Sequence, residues 1–336
     1  MTIRELASLI GVSPSTISIV LNGKSGVGEE TRQKVLKAME TYHYTPPVRS
    51  AKETKNILLM KYYKSGMFVE ENQGFISMII NAIGEQLREE QLGMNMLVAK
   101  TDLKSALATI DYSKYCGMIV IGTEITGDDY GFLKNIPIPF VVVDNTVPNY
   151  NYNSICMNNY ENVWLALQYC KECGHKEIGY LGSLSCTENF MARCKAFRLY
   201  VKELKLHFDE KWEFLVTPTM LGAYDDCIKI LAKQPKLPSC FFAENDTIAL
   251  GVMKALKEKG YKIPRDISLI GFDDIPYASI SSPALTTVHV QRDTMGKQAV
   301  YQLLKLMEEP HYGPIKTQIT GYLEIRDSLR SIGDKQ

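Results

Sequence analysis

No apolar run in the 336-residue chain approaches the ~18 residues that a membrane-spanning helix needs. The most apolar stretches, such as Pro139 to Val143, stop far short of that length. Arg4 and Glu5 precede any apolar run, so no signal-peptide core is visible and the expected location is the cytoplasm. An excess of one charge is missing too. The chain has 38 basic and 38 acidic side chains, which excludes a protein coated in positive charge but not a small basic module on a neutral body. There is no phosphate-cradling glycine-rich loop and no nucleophile elbow. The five histidines (43, 175, 207, 289 and 311) have no evident partners in the sequence. Cys170-x-x-Cys173-Gly-His175 offers at most three metal ligands, short of a structural zinc set. The chain is far above the size that needs disulfide staples, so its eight cysteines read as reduced thiols. Nothing here assembles a catalytic constellation, and the expectation is a protein that is not an enzyme and carries no cofactor or metal.

At ~150 residues per domain the length suggests about two. Residues 1–55 hold eight Lys/Arg and five Glu, a local charge of +3 that suits a head meeting phosphate. The first fifty residues predict three short helices. Thr2-Ile-Arg-Glu5 matches a capping box. Ile3, Leu6, Ala7 and Ile10 follow at helical spacing, and Gly11 supplies the stop. Ser13 caps a second helix with Pro14 at its first position. That helix runs to about Leu21, where Asn22-Gly23 ends it. A third begins near Gly28-Glu-Glu, places Val35, Leu36 and Met39 on one face, and stops before Pro46-Pro47. Helix, tight turn, short helix is a helix-turn-helix. In the second helix Val12, Ile17, Val20 and Leu21 face inward. Pro14, Ser15, Ser18 and Ile19 face outward, a row of small and hydroxyl groups suited to close approach to a major groove. A plain three-helix bundle is the alternative.

Thr2-Ile-Arg-Glu-Leu-Ala, Gly-Val-Ser-Pro-Ser-Thr-Ile-Ser, Val-Leu-Asn22-Gly, Glu-Glu-Thr-Arg-Gln-Lys-Val-Leu and Tyr44-Thr-Pro together resemble the DNA-binding head of the lactose-repressor (LacI/GalR) family of bacterial transcription factors. The resemblance implies that Pro14, Ser15 and Ile19 face base edges, and that Ser13, Thr16, Ser18, Asn22 and Thr2 contact phosphates. Two positions depart from the family pattern. Ile19 stands where many members have Arg; it cannot donate to guanine but can pack on a thymine methyl. The segment from Pro46 to Ile57 is short, and Val48-Arg49-Ser50-Ala51 has Ala where members carry a Leu that wedges into the minor groove. Arg49, Lys52 and Lys55 there either track phosphate or form a solvated linker.

From residue 56 on, strand and helix patterns alternate, which predicts parallel sheets with helices on both faces. Gly174-His-Lys-Glu-Ile-Gly-Tyr180, Arg193 to Arg198, Glu244 to Gly251, Pro264 to Asp274 and Pro283 to Val288 resemble the effector body of the same family, built like periplasmic sugar-binding proteins. The expected architecture is an all-α helix-turn-helix head (1–46), a short hinge (47–55) and a two-lobed α/β body (56–330) for ligand binding and dimerisation. Lobe one would be about 56–157 plus 290–322 and lobe two about 158–289, joined by three crossings. Ligands of such folds bind at the carboxyl ends of the strands. Thr123 and Asp144 lie past strands of the first lobe, and Asn245 and Asp273 past strands of the second. The resemblance implies that Asp144, Arg193, Asn245 and Asp273 contact the ligand and that Phe75 stacks on it. The alternatives are a core Phe75, an Arg193 in a surface ion pair and an Asp273 that caps a turn. The implied function is a sequence-specific DNA-binding regulator, a repressor, whose operator affinity is set by a small ligand, a sugar first and a purine or nucleoside second. Its expected partners are a near-palindromic duplex and a second copy of the chain, with no membrane. A cytoplasmic solute sensor with a degenerate head is the competing reading.

Overall fold

The computed structural model describes residues 3–21, 26–42, 56–65 and 74–332. Met1–Thr54 and Lys55–Gln336 form two compact units.

The head is three helices, α1 (Ile3–Ile10), α2 (Pro14–Leu21) and α3 (Glu29–Thr41). Gly11, at φ +65°, takes the left-handed conformation that ends α1. The Ser13 hydroxyl accepts from the Thr16 N–H at 3.0 Å and so caps α2. Leu6, Ala7, Ile10, Ile17, Val20, Val35 and Ala38 close around one another as a buried core. Leu36 is exposed, although its spacing predicted an inward position. Ala38 takes that place, because a helix so short can turn only a narrow stripe toward its two neighbours.

The body holds two six-stranded sheets. The first takes β1 (Asn56–Tyr62), β2 (Gly93–Ala99), β3 (Gly117–Ile121), β4 (Phe140–Val143), β5 (Ser154–Met157) and β11 (Lys316–Ile319) in the order β11-β5-β4-β3-β1-β2, all parallel. The second takes β6 (Ile178–Ser183), β7 (Glu213–Val216), β8 (Cys240–Ala243), β9 (Ser268–Asp273), β10 (Thr286–His289) and β12 (Tyr322–Glu324) in the order β12-β10-β9-β8-β6-β7. Only the short β12 runs antiparallel to its neighbour. Every residue of β3 and of β9 is buried, as expected of strands covered on both faces by helices.

The helices are α4 (Phe75–Glu89), α5 (Leu103–Ala108), α6 (Asn159–Glu172), α7 (Glu188–Glu203), α8 (Met220–Leu231), α9 (Asp246–Glu258), α10 (Pro276–Ile280) and α11 (Arg292–Glu308). The chain passes between the sheets after β5, after β10 and after β11. On its second passage it enters α11, which packs on α4 and on the first sheet. Gly296 makes that contact possible: a Cβ there would lie 2.7 Å from the Cβ of Ala82 and 2.8 Å from the carbonyl oxygen of Ile79. Helix α5 ends at Ala108, where the Thr109 hydroxyl bonds back to the Ala106 carbonyl at 2.8 Å and competes with the helical ladder. Strand β7 follows a 3₁₀ turn at Glu210–Trp212.

Candidate functional site

The carboxyl ends of the two sheets meet across a cavity of about 310 Å³. Phe75, Thr123, Asp144, Arg193, Asn245 and Asp273, singled out from the sequence, all line it. Met157, Thr187, Asn189 and Phe190 complete the wall. The side chains around it pack closely and leave little free space.

Asp144 follows β4 in the left-handed conformation, φ +65°. The Thr123 hydroxyl donates to its Oδ2 at 2.6 Å. The Asn189 Nδ2 donates to its Oδ1 at 2.9 Å and to its main-chain oxygen at 3.1 Å. Burial raises the Asp144 carboxyl to about 7, against the lowering effect of the Thr123 bond and the Arg193 charge. The group is thus an acid that can donate as well as accept near neutral pH.

Arg193 projects from α7 and is buried. Its Nε donates to the Asn159 Oδ1 at 2.9 Å, one Nη to the Glu244 carbonyl, and the other pairs with the Asp273 Oδ1 at 3.4 Å. The guanidinium lies 3.8 Å from the centre of the Phe272 ring, a cation–π contact strengthened by desolvation. It is not a surface ion pair. Glu244 behind it accepts from the Tyr180 hydroxyl and, at 2.7 Å, from the Ser183 N–H. Burial raises this carboxyl also to about 7.

Asp273 and Asp274 end β9 at φ +111° and +54°, a conformation that costs free energy and needs outside support. Arg292, the first residue of α11, supplies it by donating to both carbonyl oxygens at 2.8 and 3.0 Å. Asp274 takes the capping contacts, from His289 and Arg326 at 2.7 Å each, while Asp273 turns its carboxylate into the cavity wall. Burial pushes the Asp274 carboxyl up, but those two bonds hold it below its ordinary range. Phe75 is both core and wall: it belongs to the main buried cluster and lines the cavity. Asn245 caps α9 through its Oδ1, which accepts from the Ile248 N–H at 2.9 Å.

Asn189, Phe190 and Arg292 were not read as site residues. The first two carried a signal, since they stand four and three residues before Arg193 and so share its helix face. Arg292 carried none, because only the crossing of α11 brings it to β9. Two metal readings fail on geometry. Asp274, His289 and Glu324 bring ligand atoms within 4.8 Å of one another, but the Arg326 guanidinium already sits among them, 2.7 Å from Asp274 and 3.9 Å from Glu324. In Cys170-x-x-Cys173-Gly-His175 the imidazole is instead bonded to the Ser239 hydroxyl at 2.9 Å and the Arg330 carbonyl at 3.1 Å.

On the head, Ser13 and Pro14 are exposed and Thr16 and Ile19 half-buried along one side of α2. The Ser13 and Thr16 hydroxyls lie 2.8 Å apart. Ser15 and Ser18 lie on the same helix, though their side chains are outside the described residues, as are Thr2, Asn22 and Arg49.

Residues 2–47 match the family of bacterial regulatory proteins named for lacI, and residues 167–329 match a periplasmic binding protein-like domain. The HTH-type transcriptional repressor PurR of Haemophilus influenzae (strain Rd) is 32% identical, over 98% of this chain and 99% of its own. PurR of Mannheimia succiniciproducens is 29% identical over the same shares. Among solved structures, the lac repressor dimer bound to operator superposes with a TM-score of 0.74 at 22% identity, and the regulator CelR in complex with cellobiose at 0.72 and 20%; each match covers 98% of this chain and 99% of the other. The chain belongs to the lacI family of bacterial regulatory proteins and is a DNA-binding regulator of transcription.

Proposed function

We propose that this protein is a cytoplasmic repressor that binds a near-palindromic operator as a twofold homodimer, with affinity set by a small effector held between the lobes of its body. One observation carries the reading. Six residues from separate strand ends and helices of both halves converge on one cavity, in a chain that also has an intact helix-turn-helix head. On the head, Ser13, Thr16 and Ser18, with Thr2, Asn22 and Arg49, hold phosphates, while Pro14, Ser15 and Ile19 meet base edges. Ile19 packs on a thymine methyl, so the operator carries A·T where an arginine would select guanine.

A sugar is the first effector class. The carboxyls of Asp144 and Asp273 suit hydroxyl donors, and the Arg193 guanidinium suits vicinal oxygens. Structural neighbours in complex with cellobiose and with ribose support it. A purine is the second class, favoured by the Phe75 ring from one half and the Phe190 ring from the other.

Dimerisation is supported by apolar side chains left exposed on the body. Met96 and Val98 lie on the edge strand β2, Leu221 is exposed on α8, and Tyr277 and Ile280 border a groove along α8, α9 and α10. No described helix is long and apolar enough to cross a membrane. The effector can shift operator binding by no more than its differential affinity for the two lobe arrangements.

The test is a thermal-shift screen of sugars, nucleosides and purines on wild type and on Arg193→Met. A true effector raises the wild-type melting temperature, leaves the variant unmoved and changes operator retention in a gel. A compound that stabilises both proteins equally binds elsewhere and contradicts the assignment.

A further inference from the structure

One side chain outside the predicted site ties the two walls of the cavity together. Asn189 stands at the start of α7, capped by Thr187, whose hydroxyl accepts from the Phe190 N–H at 3.2 Å. Its carboxamide has two donor positions and two acceptor positions, and all are taken. The Nδ2 donates to the Asp144 Oδ1 and main-chain oxygen, and the Oδ1 accepts from the Asn159 Nδ2 at 2.9 Å and the Cys156 thiol at 3.1 Å. The amide orientation follows from the partners, since a flip would set its oxygen against two acceptors. Asp144 and Cys156 belong to the first sheet and its strand ends, whereas Asn159 and Asn189 belong to α6 and α7, which pack on each other; α6 also lies on β8, β10 and β12 of the second sheet. The side chain therefore bridges the two halves of the body at the mouth of the candidate effector site. Through Asn159 it reaches Arg193 and, beyond that, Asp273.

We propose that Asn189 is a built-in stand-in for effector: its carboxamide takes the place beside Asp144 that a bound effector's polar group would take, and latches the lobes together when effector is absent. Calling the displaced group an effector rests on the function proposed above; the latch itself does not. An effector must then offer Asp144 a hydrogen-bond partner at least as good as the Asn189 amide. Molecules with no polar group to place there leave the latch in place, so Asn189 helps to set which effectors the cavity accepts.

The neighbouring thiol reports on the latch. Cys156 shares the main buried cluster with Cys170, Cys173 and Cys240 but is bonded to Asn189, whereas Cys227 lies in the second cluster and Cys186 is exposed. Full-length protein without effector is treated with iodoacetamide, and the rate at each cysteine is read by mass spectrometry, with Cys186 as the clock. In Asn189→Ala, and in the near-isosteric Asn189→Leu that keeps the bulk and removes every donor and acceptor, Cys156 is expected to react about tenfold faster, the factor that roughly one hydrogen bond carries in an equilibrium. Cys170, Cys173, Cys227 and Cys240 keep their wild-type rates. An unchanged Cys156 overturns the latch. So does a joint rise at all five buried thiols, Cys156, Cys170, Cys173, Cys227 and Cys240, which would make Asn189 a support of the fold rather than of closure. No effector is present, so an effector screen that fails leaves this assay untouched, and a failed latch leaves the cavity's role standing.

Discussion

The Arg193–Asp273 pair makes the sharpest quantitative prediction. Both side chains are buried, with a Nη2–Oδ1 distance of 3.4 Å. Removing one charge of a buried pair leaves the other without its compensation, at a cost of about 3 kcal/mol or more. Asp273→Asn keeps the shape of the side chain and removes only its charge. In a body unit of 282 residues (55–336), about 3 kcal/mol lowers the melting temperature by roughly 6 °C, at about 2 °C per kcal/mol. Arg193→Met costs at least as much, because its bonds to Asn159 and the Glu244 carbonyl go too. If the pair interacts as the geometry indicates, the double variant loses less than the sum of the singles, by about 2 kcal/mol. Urea unfolding followed by tryptophan fluorescence measures this cleanly, since both tryptophans, Trp164 and Trp212, lie in the body. Strict additivity, within about 0.5 kcal/mol, would refute the pairing and with it the reason for placing the Asp273 carboxylate in the site.

Asp144 and Glu244 titrate near 7 in the folded body and near 4 when unfolded. The native state therefore holds more protons between those values, and stability falls as pH rises through the window. From pH 6.0 to 7.5 each group removes about 1 kcal/mol, and urea midpoints across that range should flatten in Asp144→Asn/Glu244→Gln. Arg292→Met frees the left-handed Asp273–Asp274 segment and should weaken effector binding about tenfold or more, read by calorimetry, while urea unfolding shows a loss of about 2 kcal/mol. Ile17→Ala opens the centre of the head core at about 2–4 kcal/mol; operator binding should vanish in a gel shift while the effector-induced thermal shift of the separate body unit survives.

Much of the body was legible because strands such as β3 and β9 are unbroken apolar runs, the mark of burial on both faces. Strands β5, β10, β11 and β12 carry no such run, since Ser154, Thr286-Thr287, Lys316-Thr317-Gln318 and Glu324 interrupt them; they exist because their neighbours offer them partners. Strand ends pointed to Thr123, Asp144, Asn245 and Asp273, since ligands gather at the carboxyl edge of parallel sheets. Arg292 could not be read this way. It begins a helix of the first half and works on a strand of the second, a relation set by the crossing after β10. Asn189 shared the Arg193 face of its helix, but near a helix start an asparagine looks like ordinary capping chemistry, and only the position of β4 across the cavity gives it a second use.

The central claim is that this chain reads duplex DNA under effector control. Selection from randomised duplexes, at low and moderate salt and with and without pooled sugars and purines, tests it most directly. The account predicts enrichment of one near-palindrome of two half-sites, with affinity that falls as salt rises and with yield changed by one of the pools. Failure to enrich any sequence under all of these conditions, or an enriched site without twofold symmetry, would contradict it.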